Sequence, residues 1–85
     1  MLDVKQATQS ATDQLVDLYP QMARDGIQLE EVELSDDEKY WFITLSYPLP
    51  GQIPVLNLPP KKEYKVFKID SQTGKARSMR IRKLD

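Results

Sequence analysis

Charged side chains are the residues of this chain whose chemistry could carry a function. Cysteine and histidine are both absent, which excludes thiolate nucleophiles, imidazole bases, disulfides and the usual transition-metal ligands. Glycoside hydrolysis needs only two carboxylates, but here the acidic residues fall in predicted turns and exposed strand positions with no sign of a pocket. Asp36, Asp37 and Glu38 also lack the alternating spacing and central glycine of a calcium loop. We therefore expect no enzyme activity, no metal and no cofactor.

Basic residues are concentrated near the C-terminus. Residues 1–60 contain three basic and ten acidic side chains, and residues 61–85 contain nine and three. This asymmetry indicates either an anionic partner or attraction between strands of one sheet. The candidates for binding phosphate or another anion, with one ring for stacking, are Tyr64, Lys65, Lys68, Arg80 and Arg82. The acidic segment before them and a pI of about 5.4 argue against nucleic acid and favour a solvated face.

A proline-rich segment provides the second candidate surface. Residues 48–62 hold five of the six prolines and cannot continue a central strand, so we predict a loop. Its apolar residues are candidates for binding a partner protein, because prolines stiffen a loop and lower the entropy lost on docking: Ile53, Val55, Leu56 and Leu58. The alternative is that these side chains cover the open end of the core or a sheet edge.

The elements that would position these residues begin with a helix. Apolar and small residues recur at spacings of three and four, which predicts one amphipathic helix over about residues 3–24. This stripe consists of Val4, Ala7, Ala11, Leu15, Leu18, Tyr19 and Met22. Asp3 and Gln6 have the spacing of a capping box. Pro20 predicts a kink or a restart near Tyr19, because it lacks a backbone donor.

From residue 27 onwards the apolar period changes to two, which predicts four strands at about residues 27–35, 39–47, 63–70 and 75–83. A slip of the period at Glu30 and Glu31 indicates a β-bulge, and Gly74 suits a hairpin turn. The side chains of the second strand that should face the helix are Trp41, Ile43, Leu45 and Tyr47. Eighty-five residues leave room for one core. We therefore predict a single α+β domain over 1–85, with one N-terminal helix packed on a four-stranded antiparallel sheet in the order α-β-β-β-β.

The order helix, hairpin, loop, hairpin, and especially the segment YKVFKIDSQTGKARSMRIR from Tyr64 to Arg82, resembles the PepSY and PepSY-like domains over most of the chain. In that family a Tyr-x-Val strand leads into an Asp-x-x-Thr-Gly-Lys type turn, and the residues in those places here are Tyr64, Val66, Asp70, Thr73, Gly74 and Lys75. The resemblance implies a cystatin-like wrap of sheet around helix and an association with peptidase inhibition or regulation. Two features depart from the family, the proline loop between the hairpins and the lack of a secretory leader. No inhibitory residue can be carried over.

The first residues lack a basic start followed by an apolar run, and no stretch approaches the roughly 18 apolar residues of a membrane span. We therefore expect a cytoplasmic location without membrane contact. The function we expect is that of a small non-catalytic protein-binding or regulatory module, whose partner is another protein or a second copy in a homodimer. The alternative is binding of nucleic acid or another anionic ligand through the basic C-terminal hairpin.

Overall fold

A computed structural model describes residues 1–20, 24–48 and 62–82. It has one helix, α1, at Val4–Leu18, a 3₁₀ turn at Arg24–Gly26, and the strands β1 Gln28–Leu34, β2 Tyr40–Pro48, β3 Lys62–Asp70 and β4 Ala76–Ile81. The four strands form one antiparallel sheet in the order β1-β2-β3-β4. The predicted α+β class and the order α-β-β-β-β are confirmed.

Helix α1 begins as predicted and ends earlier than predicted. The Asp3 carboxylate accepts a hydrogen bond from the Gln6 backbone N–H at 2.8 Å, and the Gln6 side chain accepts one from the Asp3 N–H at 3.0 Å, so the capping box is confirmed. The last helical residue is Leu18 rather than a residue near position 24. The cause is Pro20, which disfavours helical backbone in the residue before it. Tyr19 accordingly has φ −131° and ψ 76°.

The core lies between the middle of α1 and the two central strands. Its buried side chains are Ala7, Ala11 and Leu15 from the helix and Ile43, Leu45, Tyr47, Phe67 and Ile69 from the sheet. The small alanines allow a close approach of helix and sheet. Val4, Leu18 and Tyr19 were predicted to share the buried stripe, but they are exposed, because the central turns of α1 make the main contact with the sheet. Met22 lies outside the described residues.

Strand pairing places every second side chain of the sheet on the helix side, which we call the inner face. Along β2 these are Trp41, Ile43, Leu45 and Tyr47, as predicted. The predicted bulge is confirmed, since Leu29 and Glu31 pair with consecutive residues of β2 and leave Glu30 between them. A second bulge, which was not predicted, lies in β4 at Arg77.

Hydrogen bonds join the N-terminus to the β3–β4 turn and to β2, and join the two hairpin turns to each other. The Leu2 N–H donates to the Ser71 carbonyl at 2.7 Å, and the Trp41 indole Nε1 donates to the Leu2 carbonyl at 3.0 Å. The buried Ser71 hydroxyl donates to the Glu38 carbonyl in the β1–β2 turn at 2.7 Å. Gly74 adopts a positive φ of 77°, as its turn position predicts. No helix within the described ranges is long and apolar enough to cross a membrane.

Candidate functional site

Of the two predicted binding surfaces, the structure describes the anion-binding candidates but not the apolar residues of the proline-rich loop. Ile53, Val55, Leu56 and Leu58 lie outside the described residues. The five candidates for anion binding all lie in described strands or directly beside them, but they do not share one face of the sheet. Tyr64, Lys68, Arg80 and Arg82 point away from the helix, on what we call the outer face, whereas Lys65 points to the inner face.

An ion pair crosses the outer face from one edge strand to the other. The Arg82 Nε donates to Glu31 Oε1 at 3.0 Å, although β2 and β3 lie between Glu31 on β1 and Arg82, which directly follows β4. The hydrogen bond from Arg82 lowers the pKa of Glu31, and the Glu31 carboxylate raises the pKa of Arg82. Arg82 is therefore already occupied by a carboxylate of its own chain, which reduces its availability for an external anion.

The ion pair passes over small polar residues of β2. Thr44 and Ser46 are on the outer face, yet both are buried. Thr44 lies opposite Glu31 on β1, and the Ser46 hydroxyl donates to Glu30 Oε2 at 2.6 Å. The acidic side chains of β1 thus fold over the middle of the sheet. The outer face combines both charge signs at close range instead of forming a continuous basic surface.

Two of the remaining basic residues on the outer face have different surroundings. Lys68 places its Nζ 4.2 Å from the centroid of the Tyr40 ring, within cation–π range. Arg80 is exposed, and its side chain forms no ion pair with the described part of the chain. Among the predicted anion-binding residues, Arg80 is therefore the cation most open to a partner.

Lys65 belongs to a separate polar cluster on the inner face. Its Nζ lies 3.3 Å from Glu63 Oε1 and 5.9 Å from the centroid of the Tyr19 ring, and the residue as a whole is buried. Burial lowers the pKa of Lys65, but Tyr47 and Glu63 outweigh this effect, so that the net shift is upward. Burial also raises the pKa of Tyr47. The cluster connects the end of α1 to β3 and keeps the ammonium group charged.

The most exposed strand of the sheet is β1, a region that the sequence analysis did not select. Six of its seven residues are exposed. On its inner face Leu29 and Val32 are 47% and 38% exposed, and on its outer face Glu33 is exposed. The signal was present in the sequence as alternating apolar and acidic residues, but the alternation does not reveal that the helix leaves this strand uncovered.

The opposite edge, β4, has the reverse charge. Arg77 and Arg80 are exposed, and Ile81 on the inner face is 63% exposed. In the sheet of the described residues, β1 and β4 are the strands with a single neighbour, so one side of each backbone is available for further pairing. Among the described residues, the two edges thus combine exposed apolar side chains, backbone groups without a neighbouring strand and opposite charges.

Within residues 1–20, 24–48 and 62–82, no cluster of three or more acidic side chains is arranged to hold a metal ion. Comparisons of the chain with protein-family models, with curated proteins and with solved structures found no match.

Proposed function

We propose that this chain is a small, non-catalytic protein-binding module that takes an extended segment of a partner protein along the edge of β1. The observation that carries this proposal is the exposure of β1, six of whose seven residues are accessible to solvent. A strand with one neighbour can donate and accept a further row of backbone hydrogen bonds, and many recognition domains add a peptide strand in this way.

The side chains of β1 define the chemistry of the partner. Leu29 and Val32 present apolar surface on the inner face. On the outer face Glu33 presents a carboxylate, beside Glu31, whose carboxylate is paired with Arg82. Successive side chains of an added strand point to opposite faces. A matching segment therefore alternates apolar residues with basic ones.

The resemblance to PepSY-like domains supports a regulatory role for this binding. In that reading the partner is a peptidase, or a protein whose processing the module controls. We propose a cytoplasmic location for the module. A self-associated form is compatible with the same surface, because a second copy also offers an unpaired strand.

Binding to synthetic peptides tests the proposal. An eight-residue peptide that alternates arginine and valine should shift the backbone amide resonances of β1 in an NMR titration. A peptide of the same composition in scrambled order, and one that alternates glutamate and valine, serve as controls. The Glu33→Lys variant should bind the arginine–valine peptide about tenfold more weakly, equivalent to about 1.4 kcal/mol. Equal binding of all three peptides, or shifts confined to other strands, would refute the proposal.

A loop variant separates this surface from the proline-rich segment. Replacing Ile53, Val55 and Leu56 by serine changes the loop candidate and leaves β1 intact. If the β1 edge binds the peptide, the triple variant retains the affinity of the original chain. Loss of binding in the triple variant, with Glu33→Lys unaffected, would assign the function to the loop.

Anion binding through the outer face is the competing function, and the contacts favour it less. Arg82 is paired with Glu31, and Lys68 lies over the Tyr40 ring. A fluorescence titration with single-stranded oligonucleotide at low salt distinguishes the two. Steeply salt-dependent binding that Arg80→Ala weakens would support the anionic ligand, and we expect no saturable binding.

A further inference from the structure

We infer that the strand which the β1 edge accepts is β4 of a second copy of this chain. The inference rests on the proposed function, because it names the partner of the same edge. Its basis is complementarity. The β1 edge fits a strand with apolar and basic side chains, and β4 carries apolar residues on its inner face and Arg80 on its outer face. Both edges are exposed, and in an antiparallel sheet of four strands β1 and β4 run in opposite directions. A second copy can therefore extend the sheet in the same antiparallel sense.

The rows of the existing sheet suggest the register. Three inner-face rows run across the four strands: Leu29, Leu45, Lys65 and Ile81; Val32, Ile43, Phe67 and Met79; Leu34, Trp41, Ile69 and Ala76. If β4 of the second copy continues these rows, each apolar residue on the inner face of β1 meets an apolar residue of β4. The pairs are Leu29 with Ile81, Val32 with Met79, and Leu34 with Ala76.

The same register brings opposite charges together on the outer face. Glu31 and Arg80 occupy the two ends of one row, so Arg80 of the second copy lies directly opposite Glu31. Glu33 is the diagonal neighbour of that arginine, at about 7–8 Å between Cα atoms, which a long side chain can bridge. A β1–β1 pairing would instead bring the glutamates of the two copies together, and like charges directly opposite are unfavourable.

The position of α1 leaves room for this arrangement. The helix packs on β2, β3 and β4, so in an extended sheet the helices of adjacent copies are separated by four strand spacings, about 19 Å. This distance exceeds the diameter of a helix with its side chains, about 10–12 Å. The uncovered inner face of β1 would lie in the gap, beside the helix of the second copy.

The bulges limit the strength of the contact. Glu30 in β1 and Arg77 in β4 are bulge positions, and bulges interrupt the regular ladder. Regular pairing is confined to Glu31–Glu33 against Ser78–Arg80. We therefore expect weak association that depends on concentration. Because different surfaces meet, the contact is heterologous and builds rings or short chains of copies rather than a closed twofold dimer.

Charge-swapped variants test this inference. Glu33→Arg makes the β1 edge repel β4, and Arg80→Glu makes the β4 edge repel β1. The molecular mass in solution, measured by sedimentation over a roughly hundredfold dilution, should rise with concentration for the original chain. It should stay at the monomer value for each variant alone. A mixture of the two variants should form dimers, because the unchanged β1 edge of Arg80→Glu then meets the unchanged β4 edge of Glu33→Arg.

The controls are charge reversals of the same sign on the helix, Asp17→Arg and Lys5→Glu, which leave both edges intact and should associate like the original chain. Circular dichroism establishes that every variant is folded. A monomeric original chain at all concentrations would overturn the inference. Association that is lost in Glu33→Arg but unchanged in Arg80→Glu would also overturn it, since that result indicates a β1–β1 contact.

Cysteine trapping gives an independent measurement, because the natural chain has no cysteine. Glu33 and Ser78 lie at the two ends of one outer-face row, so in the proposed register they are direct neighbours between copies. Mixing a Glu33→Cys chain with a Ser78→Cys chain under mild oxidation should yield mainly the mixed disulfide dimer. Predominant Glu33→Cys homodimers would contradict the register, because those require β1 of both copies to meet.

The two proposals fail in different ways. If the original chain remains monomeric but the arginine–valine peptide still binds at β1, the edge is a docking site for another protein, and only the identity of the partner is wrong. If neither the peptide nor a second copy binds at β1, the proposed function is refuted as well.

Discussion

Leu29 and Leu45 are cross-strand neighbours on β1 and β2, yet Leu29 is 47% exposed and Leu45 is 1% exposed. The next inner row repeats the contrast, with Val32 at 38% and Ile43 at 0%. The residue types are alike, and the strands differ in what lies above them, because α1 packs chiefly on β2 and has at most a minor contact with β1. A difference in cover thus makes one strand part of the core and leaves the other exposed to solvent.

The covered half of the sheet should dominate the free energy of unfolding. Phe67 on β3 is fully buried and lies opposite Ile43. Replacing it by alanine should cost about 3–5 kcal/mol through lost burial and the cavity left behind. That loss is comparable to the total stability of many small domains. Urea unfolding followed by circular dichroism measures it, and a loss under about 1 kcal/mol would show that the core lies elsewhere.

Leu29 and Leu45, which are cross-strand neighbours, give the most direct test of the difference between β1 and β2. Leu45→Ala should lower the free energy of unfolding by about 2–5 kcal/mol. Leu29→Ala removes the same atoms from an exposed position and should cost less than about 1 kcal/mol. Both values come from the same urea experiment. Similar losses for the two variants would mean that β1 is covered in solution, and the proposed binding edge would then be closed.

The connection between the two hairpin turns provides a smaller test. Ser71→Ala removes the donor to the Glu38 carbonyl, so we expect a loss of about 1 kcal/mol. Gln72→Ala in the same turn is the control, because its hydrogen bond to Asp70 comes from the backbone N–H and survives the substitution. Thermal unfolding should separate the two variants, and equal melting temperatures would contradict the role of Ser71.

Local features of the fold could be predicted from the sequence because they depend on neighbouring residues. The Asp3 cap needs only Gln6, the bulge at Glu30 follows from a slip in the apolar period, and the positive φ of Gly74 follows from its turn. Pro20 predicted an interruption near Tyr19, yet the helix was extended to about residue 24, whereas α1 ends at Leu18. The apolar spacing continues past Pro20 and was given more weight than the backbone restriction that this residue imposes.

The surfaces were harder to predict because they depend on contacts between distant elements. Lys65 was grouped with the anion-binding residues, whereas strand alternation places it inside, against Glu63. Thr44 is on the predicted outer face but is buried by a pair formed between the two edge strands, which no local pattern reveals. The exposure of β1 likewise required knowledge of where the helix lies.

The pH dependence of stability can be compared for two carboxylates, Asp70 in the β3–β4 turn and Glu31 on the β1 edge. Backbone N–H groups of Thr73 and Gln72 bind the Asp70 carboxylate and hold its pKa below the ordinary value of 3.8. Because the folded-state pKa is depressed, the stabilisation is complete above the unfolded-state pKa and is lost as the pH falls through the lower, folded-state value. The hydrogen bond from Arg82 likewise lowers the pKa of Glu31, so the stabilisation from this carboxylate is also lost as the pH falls.

The two carboxylates should differ in their response to salt. At about 1 M salt the Debye length is about 3 Å, so the contribution of the exposed Glu31–Arg82 pair should shrink, whereas the short backbone hydrogen bonds to Asp70 should persist. Melting temperatures measured from pH 7 down to pH 2 should therefore drop less steeply in Asp70→Asn than in the original chain at either ionic strength. Glu31→Gln should flatten the profile only at low salt. An equal effect of Glu31→Gln at both salt concentrations would mean that the cross-sheet pair is shielded from solvent, and that the acidic face of β1 is less open to a basic partner than its exposure indicates.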